Sequence, residues 1–392
     1  MLPCYPPRPA LRGRSARLLR PLALSLLCAA LGFGPAAGRA EGGTAEPSTV
    51  LSSYGELNVN LPRRAETQAD LRRFVLALLH RFDDATKLVS ELEVEHAVSS
   101  ASDRGEVEVE QAYIDRQLGD TWSMQAGLFL MPIGLLNENH EPTSYYGVER
   151  NFVETAIIPS TWREGGLQAT AVLPQGLSLR AGLTTSFDLT RWDATSTEGQ
   201  DSPLGSVHQE LQLARAHDLA GHLALDWRGV PGLQLGGAAF AGNATQGAAG
   251  APRAVVAIWD LHARWTPARF DLSALYTRAT ISGADRLDAA LSGQPVLIPS
   301  QFDGWYVQAA FRAWARAEMS LSPFLRYEEW NTGRRYPDLG PGRTPAPLPT
   351  QGVATAGLSL FIASGVVVKA DVQSFRRDHD QDRLDLGLGW SF

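Results

Sequence analysis

Cysteine is nearly absent from this 392-residue chain, since its only two, Cys4 and Cys28, both fall within the first thirty positions. Everything downstream is therefore free of disulfides, thiolate nucleophiles and Cys-ligated metal. Lysine is equally scarce: Lys87 and Lys369 are the only two, so cationic contacts come from arginine forks rather than ammonium points. Long apolar runs are missing except at the N-terminus, and a membrane-crossing helix needs roughly 20 predominantly apolar residues, which excludes a helical membrane protein. Basic excess is missing too, with 35 Lys and Arg against 42 Asp and Glu, which makes nucleic acid a poor partner. The 37 glycines and 24 prolines are scattered without period, as in a folded chain rich in turns.

The N-terminus reads as an export signal over residues 1–40. Arg8, Arg12, Arg14, Arg17 and Arg20 form a basic region, Pro21 to Phe33 an apolar core, and Gly38-Arg39-Ala40 a small-residue cleavage site before Glu41. Cys28 follows Leu26-Leu27 inside that core and lacks the small neighbour of a lipidation site. Removing the leader's six arginines leaves 29 basic against 42 acidic residues, a net charge of about −13.

After a short segment at 41–48, the dominant period from 49 to 392 is two. Val107-Glu-Val-Glu110, Leu223-Ala-Leu-Asp-Trp227 and Leu384-Asp-Leu-Gly-Leu388 all alternate apolar with polar or small residues, as half-exposed strands do. About sixteen such segments can be placed, from 50–60 to 382–392. Links alternate in length: tight turns such as Gly119-Asp120 and Val230-Pro231 follow the even segments, and longer links, reaching 131–162 and 188–218, follow the odd ones. Helical spacing is confined to 203–220, where Leu204, Val207, Leu211, Leu213 and Leu219 could form a short amphipathic helix. The expected fold is all-β: a closed antiparallel transmembrane β-barrel of about 16 strands, since short turns at one end, long loops at the other and an even count characterise such barrels. Trp122, Phe187, Trp227, Trp259, Trp265, Trp305 and Trp330 near strand ends suit interfacial belts. Leu384, Leu386, Leu388, Trp390 and Phe392 share one face, and a terminal Phe on such a strand resembles the recognition signature of bacterial outer-membrane barrels.

The stretches Ser53-Tyr-Gly-Glu-Leu-Asn58, Ser90-Glu-Leu-Glu-Val-Glu-His96, Gly127-Leu-Phe-Leu-Met-Pro-Ile-Gly134, Asn137-Glu-Asn-His-Glu-Pro142, Tyr146-Gly-Val-Glu-Arg150 and Ile157-Ile-Pro-Ser-Thr-Trp162 resemble the phosphate-selective porin O and P family. The detailed likeness covers about residues 53–166. It implies a sixteen-stranded channel in the bacterial outer membrane, usually a homotrimer, with outer-membrane lipid around it and small solutes or anions such as phosphate passing through. It also implies that 131–162, the third long loop, folds inward as a constriction. Asn137, Glu138, His140, Glu141, Glu149 and Arg150 are then its candidate lumen groups.

Strand phase selects the rest of the lining. With Leu92, Val94, Val107 and Val109 facing lipid, Glu91, Glu93, Glu95, Glu106, Glu108 and Glu110 face the lumen on two neighbouring strands. Charges on the lipid face would cost roughly 2–4 kcal/mol each for Arg or Lys at the bilayer midplane. So many carboxylates need relief; Arg73 and Arg81 are nearest, and Arg150 and Arg163 could reach across. The arrangement expected is Arg73, Arg81 and Arg150 opposite the glutamates across the pore. Arg180 also faces inward, as do Asp226, Asp260, Arg326, Glu328, Lys369, Asp371 and Asp385. A phosphate path would call for a cation ladder; this lining has an acidic excess instead.

Two other functions compete with a passive channel. A barrel hydrolase would need a serine and histidine to meet, and His140 with Ser144 or His208 with Ser206 and Glu210 are the pairs available, without a serine-elbow motif. A structural or adhesive barrel would keep its lumen closed. No metal or cofactor is expected, as His140, Glu138 and Glu141 have no second histidine beside them.

Overall fold

A computed structural model of the chain describes residues 48–98, 105–291 and 293–392; the expected leader lies outside them. Seventeen strand segments follow in order: β1 (Ser48–Pro62), β2 (Gln68–Arg81), β3 (Thr86–Glu95), β4 (Val107–Gln117), β5 (Trp122–Leu130), β6 (Arg163–Leu173), β7 (Leu177–Thr185), β8 (Leu219–Val230), β9 (Leu233–Asn243), β10 (Val255–Trp265), β11 (Phe270–Ser282), β12 (Gln301–Phe311), β13 (Trp314–Arg316), β14 (Met319–Arg335), β15 (Gln351–Ala363), β16 (Val366–Phe375) and β17 (Arg383–Ser391). Each pairs antiparallel with the next, except that β12 and β13 both pair with β14. The three-residue β13 carries on the line of β12, so the segments make sixteen staves. The sheet closes where β1 meets β17, from Tyr54 opposite Ser391 to Pro62 opposite Arg383. Closure leaves no open edge, so backbone groups at membrane depth find partners within the wall.

The period-two pattern sets the two faces of the wall. On β8, Leu219, Leu223 and Leu225 are exposed on the outside, whereas Ala220, His222, Ala224 and Asp226 between them are buried within. Tight turns gather at one end. In the β15–β16 turn, Gly365 has φ +74° and a Cβ there would stand 2.1 Å from the Ser391 carbonyl oxygen, so only glycine fits.

The lumen is not uniformly polar. Trp162, Phe187 and Phe240 pack with ring centroids 4.9–5.5 Å apart, and Met131, Ile133, Ile157, Leu204, Ile258, Ile298 and Phe302 join them in one buried cluster. Of the aromatics expected in interfacial belts, Trp122, Trp259 and Trp265 are exposed, but Phe187 and Trp330 belong to this inner core. The amphipathic helix expected over 203–220 is not formed. Only a single 3₁₀ turn, Gly205–Val207, appears there; Glu210, Leu211 and Leu213 adopt left-handed backbone conformations that break any helix, and Leu213 is fully exposed.

A short helix unforeseen from the sequence, Ala284–Ala290, lies in the loop between β11 and β12 and buries Asp288. The Ile298 N–H donates to Asp288 Oδ1 at 2.9 Å, while Oδ2 has no partner. Burial pushes this carboxyl up to about 7, with Asp285 adding to the effect. An acid raised in the folded state holds its proton best there, so its docking is strongest at low pH and weakens as pH rises through about 4 to 7. Between pH 6 and 8 opening of this loop should increase up to roughly tenfold relative to Asp288→Asn. Hydrogen exchange of residues 284–298 in the two proteins at both pH values checks this; parallel pH responses would refute it.

Candidate functional site: the inserted loop and the acidic wall

The loop between β5 and β6 begins by being stapled at its neck. Asn137 Nδ2 donates to the carbonyls of Met131 and Trp162 at 2.7 and 2.8 Å, and Asn137 Oδ1 accepts from Trp162 N at 2.7 Å. From there the chain touches the wall nearly all the way round. Gly134 N donates to Asp260 on β10, Tyr145 OH to Glu56 on β1, Val148 N to Asp371 on β16, and Phe152 N to Glu328 on β14. Thr143 meets Ser391 on β17, and Tyr306 on β12 donates to Glu154. Phe152 stacks on Trp330 with centroids 4.6 Å apart. Only a segment lying inside the barrel can reach these strands together.

The acidic wall is compensated at close range. Arg73 is buried and bonds Glu56 at 2.9 Å and Glu93 at 3.2 Å, on the strands either side of it. Arg163 bonds Glu108 at 2.5 Å and also Glu210 at 3.1 Å. Glu110 receives the Tyr54 hydroxyl at 2.9 Å and has His140 Nε2 at 3.1 Å. His140 Nδ1 donates to the Asn137 carbonyl at 2.9 Å, which turns Nε2 toward the Tyr54 hydroxyl at 2.7 Å and the Glu110 carboxylate. Glu138 pairs with Arg180, which also holds Asp226 at 3.0 Å, and Glu149 accepts from Asn58 and Asn60. Glu141 accepts from Ser144.

This differs from an arrangement of cations opposite anions. Arg73 stands within the glutamate wall, one strand from Glu93, and not across the pore. Arg81 does not join it at all: it lies exposed at the short-turn end of β2, in register with Lys87, where strand geometry carries it well away from Glu91. Arg150 does lie inside. It is buried, donates to Thr161 Oγ1 at 3.2 Å and to the His140 carbonyl at 3.5 Å, and has no carboxylate in ion-pair range among the described residues. Glu91 is half-buried beside Glu110, and Glu95 and Glu106 sit at the long-loop end.

Two adjoining cavities, about 530 and 470 Å³, open on the long-loop side and share Arg72, Arg73, Arg150, Thr155 and Ser160. Glu95, Glu106 and Glu108 line the first, and Glu56 and Glu149 the second. A third, about 430 Å³, lies toward the turn end around Glu138, Arg180 and Asp226. The inserted loop stands between them, contributing Arg150 to one side and Glu138 to the other. Tyr54, Glu56 and Glu154 take part in this network without having been singled out as lumen groups from the sequence, and Glu210, named there only as a partner of His208, joins it through Arg163 as well. Tyr54 and Glu56 share the inward phase of β1 and were accessible to the same alternation argument; Glu154 and Glu210 lie in loops where phase gives no signal. The two serine–histidine pairs do not form: Ser144 Oγ donates to Glu141 and Ser206 Oγ to the Pro203 carbonyl.

The fold is matched by solved structures. OmpF of Salmonella typhi, in a complex with daunomycin, aligns at a TM-score of 0.60 with 12% identity, covering 88% of this chain and 97% of that one. An anion-selective porin from Comamonas acidovorans aligns at 0.56 with 11% identity, covering 88% and 100%. The fold is that of outer-membrane porins. OmpT of Vibrio cholerae, an outer membrane protein in trimer form, aligns at 0.53 with 9% identity, covering 89% and 100%. In sequence, an uncharacterized protein of Aquifex aeolicus is 26% identical over 383 residues, 92% of this chain and 83% of its own length. No family model matches the chain.

Proposed function

We propose that this chain is a passive diffusion channel of the bacterial outer membrane for small hydrophilic solutes or ions, with residues 131–162 as its constriction. One observation carries the reading: the inserted loop crosses the lumen with polar cavities on both of its faces. Such a path needs no nucleophile, metal or cofactor, because width and lining charge select what passes. The signal at 1–40 and the outward apolar band support export to and residence in that membrane. A homotrimer is the assembly we favour, in keeping with the family resemblance and the trimer form of OmpT. For phosphate or other oxyanions, support comes from the motifs at 53–166 and from Arg150, a buried guanidinium without a carboxylate in ion-pair range among the described residues; the acidic wall argues for weak selectivity at most.

A second reading has its own support. The apolar cluster around Trp162 and Phe240 packs inside the wall, as a structural barrel with a closed interior would require. Planar-bilayer recording of the purified protein decides between them. A channel should give discrete conductance steps, and a tenfold salt gradient should give a reversal potential set by its lining. A folded protein that inserts and passes no current would leave the closed barrel as the function.

A further inference from the structure

Three side chains from separate elements converge at the inner wall. Glu91 of β3, Glu110 of β4 and His140 of the inserted loop each offer one ligand atom, all within 4.8 Å of one another. Glu110 is fully buried, and its Oε1 makes no well-formed hydrogen bond even with His140 Nε2 at 3.1 Å. Glu91 Oε2 is likewise buried without a partner among the described residues. The His140 Nδ1–H donates to the Asn137 carbonyl at 2.9 Å, which fixes the ring with Nε2 toward the carboxylates; metal-binding imidazoles are held by such a second contact. The Tyr54 hydroxyl, 2.7 Å from Nε2 and 2.9 Å from Glu110 Oε2, is a fourth donor atom at the same place. Two ligands about 2.1 Å from a tetrahedral ion stand about 3.4 Å apart, so small side-chain rotations bring this set to bonding distance. Two carboxylates facing a single imidazole also leave uncompensated negative charge in a confined site.

We propose that Glu91, Glu110 and His140 bind a divalent transition-metal ion, with Zn²⁺ the best match to mixed imidazole and carboxylate donors. His140 binds through the Nε2 lone pair while its Nδ1 proton stays on the Asn137 carbonyl, and the ion sits between the loop and the wall. The ion then clamps residues 137–140 to β3 and β4. The site is independent of which solute passes, since it is built from the barrel and loop alone.

The test uses the full protein in detergent micelles, stripped with chelator and titrated with Zn²⁺ alone by calorimetry and metal analysis. One ion per chain is expected. Glu91→Gln keeps the side-chain shape and should weaken binding at least about tenfold while the folded, heat-modifiable band persists. His379→Ala, at an exposed loop far in sequence from the cluster, should change nothing. No stoichiometric Zn²⁺, or equal affinity in wild type and Glu91→Gln, overturns the site. If a His140 variant fails to fold, Glu91→Gln still decides, because Glu91 holds no ion pair among the described residues.

Discussion

Replacing Glu154 by alanine should loosen the inserted loop more than any other single change in it. Glu154 is fully buried, and four donors converge on it: the Leu135 and Leu136 N–H groups at 2.7 Å each on Oε2, and Asn151 Nδ2 at 3.2 Å and Tyr306 OH at 2.8 Å on Oε1. It thereby ties the start of the loop to its far limb and both to β12. Alanine strands these donors in a dry pocket, at roughly 1–3 kcal/mol for each that water fails to reach. Glu154→Gln should be milder, for its carbonyl oxygen still accepts from one pair of donors while its amide N–H₂ faces the other. The barrel wall does not depend on this carboxylate, so the folded band should survive, with a lower unfolding temperature. In bilayers the variant should show larger and noisier unitary conductance than wild type. Unchanged conductance together with unchanged stability would show that the loop is held by its other contacts and that Glu154 is redundant.

How far the sequence carries depends on whether period two is informative at a given place. It is on β3, β4, β8 and β17, where one face is apolar and the other is not, and there the inward residues follow directly. It fails on β10, where Val255-Val-Ala-Ile-Trp259 is apolar on both phases. Such a run reports a strand covered on both sides, with lipid outside and packed loops within, which is how Val256 and Ile258 come to lie in the inner core. The inward loop was legible from family likeness and from its place in the link order. Its contacts were not, because a loop has no phase: nothing in the spacing of Glu154 or Glu210 says which wall residue each will meet. Arg81 exposes a different limit. Phase assigns it the same face as Arg73, but position along the strand, eight residues nearer the turn, decides that it cannot share Arg73's partners. A strand rises about 3.3 Å per residue, so facing alone does not make a ring.

The same geometry determines which charges can be removed without unfolding the protein, and this sharpens the expected effect on selectivity. Arg73→Gln leaves both Glu56 and Glu93 buried without their cation, a change that costs several kcal/mol and confounds any electrical readout. Arg150 is different, since it holds no carboxylate in an ion pair among the described residues and it borders both long-loop cavities. A unit charge about 6 Å from a permeating ion in a water-like medium is worth roughly 0.7 kcal/mol, or about threefold in local ion concentration. Arg150→Gln should therefore move the reversal potential toward cations, and Glu95→Gln with Glu106→Gln toward anions. Both shifts should shrink when the mean salt is raised from 0.1 M to 1 M, as the Debye length falls from about 10 Å to 3 Å. Shifts that persist undiminished at 1 M would point to altered pore width, and no shift in either variant would place the ion path away from Arg150 and this wall.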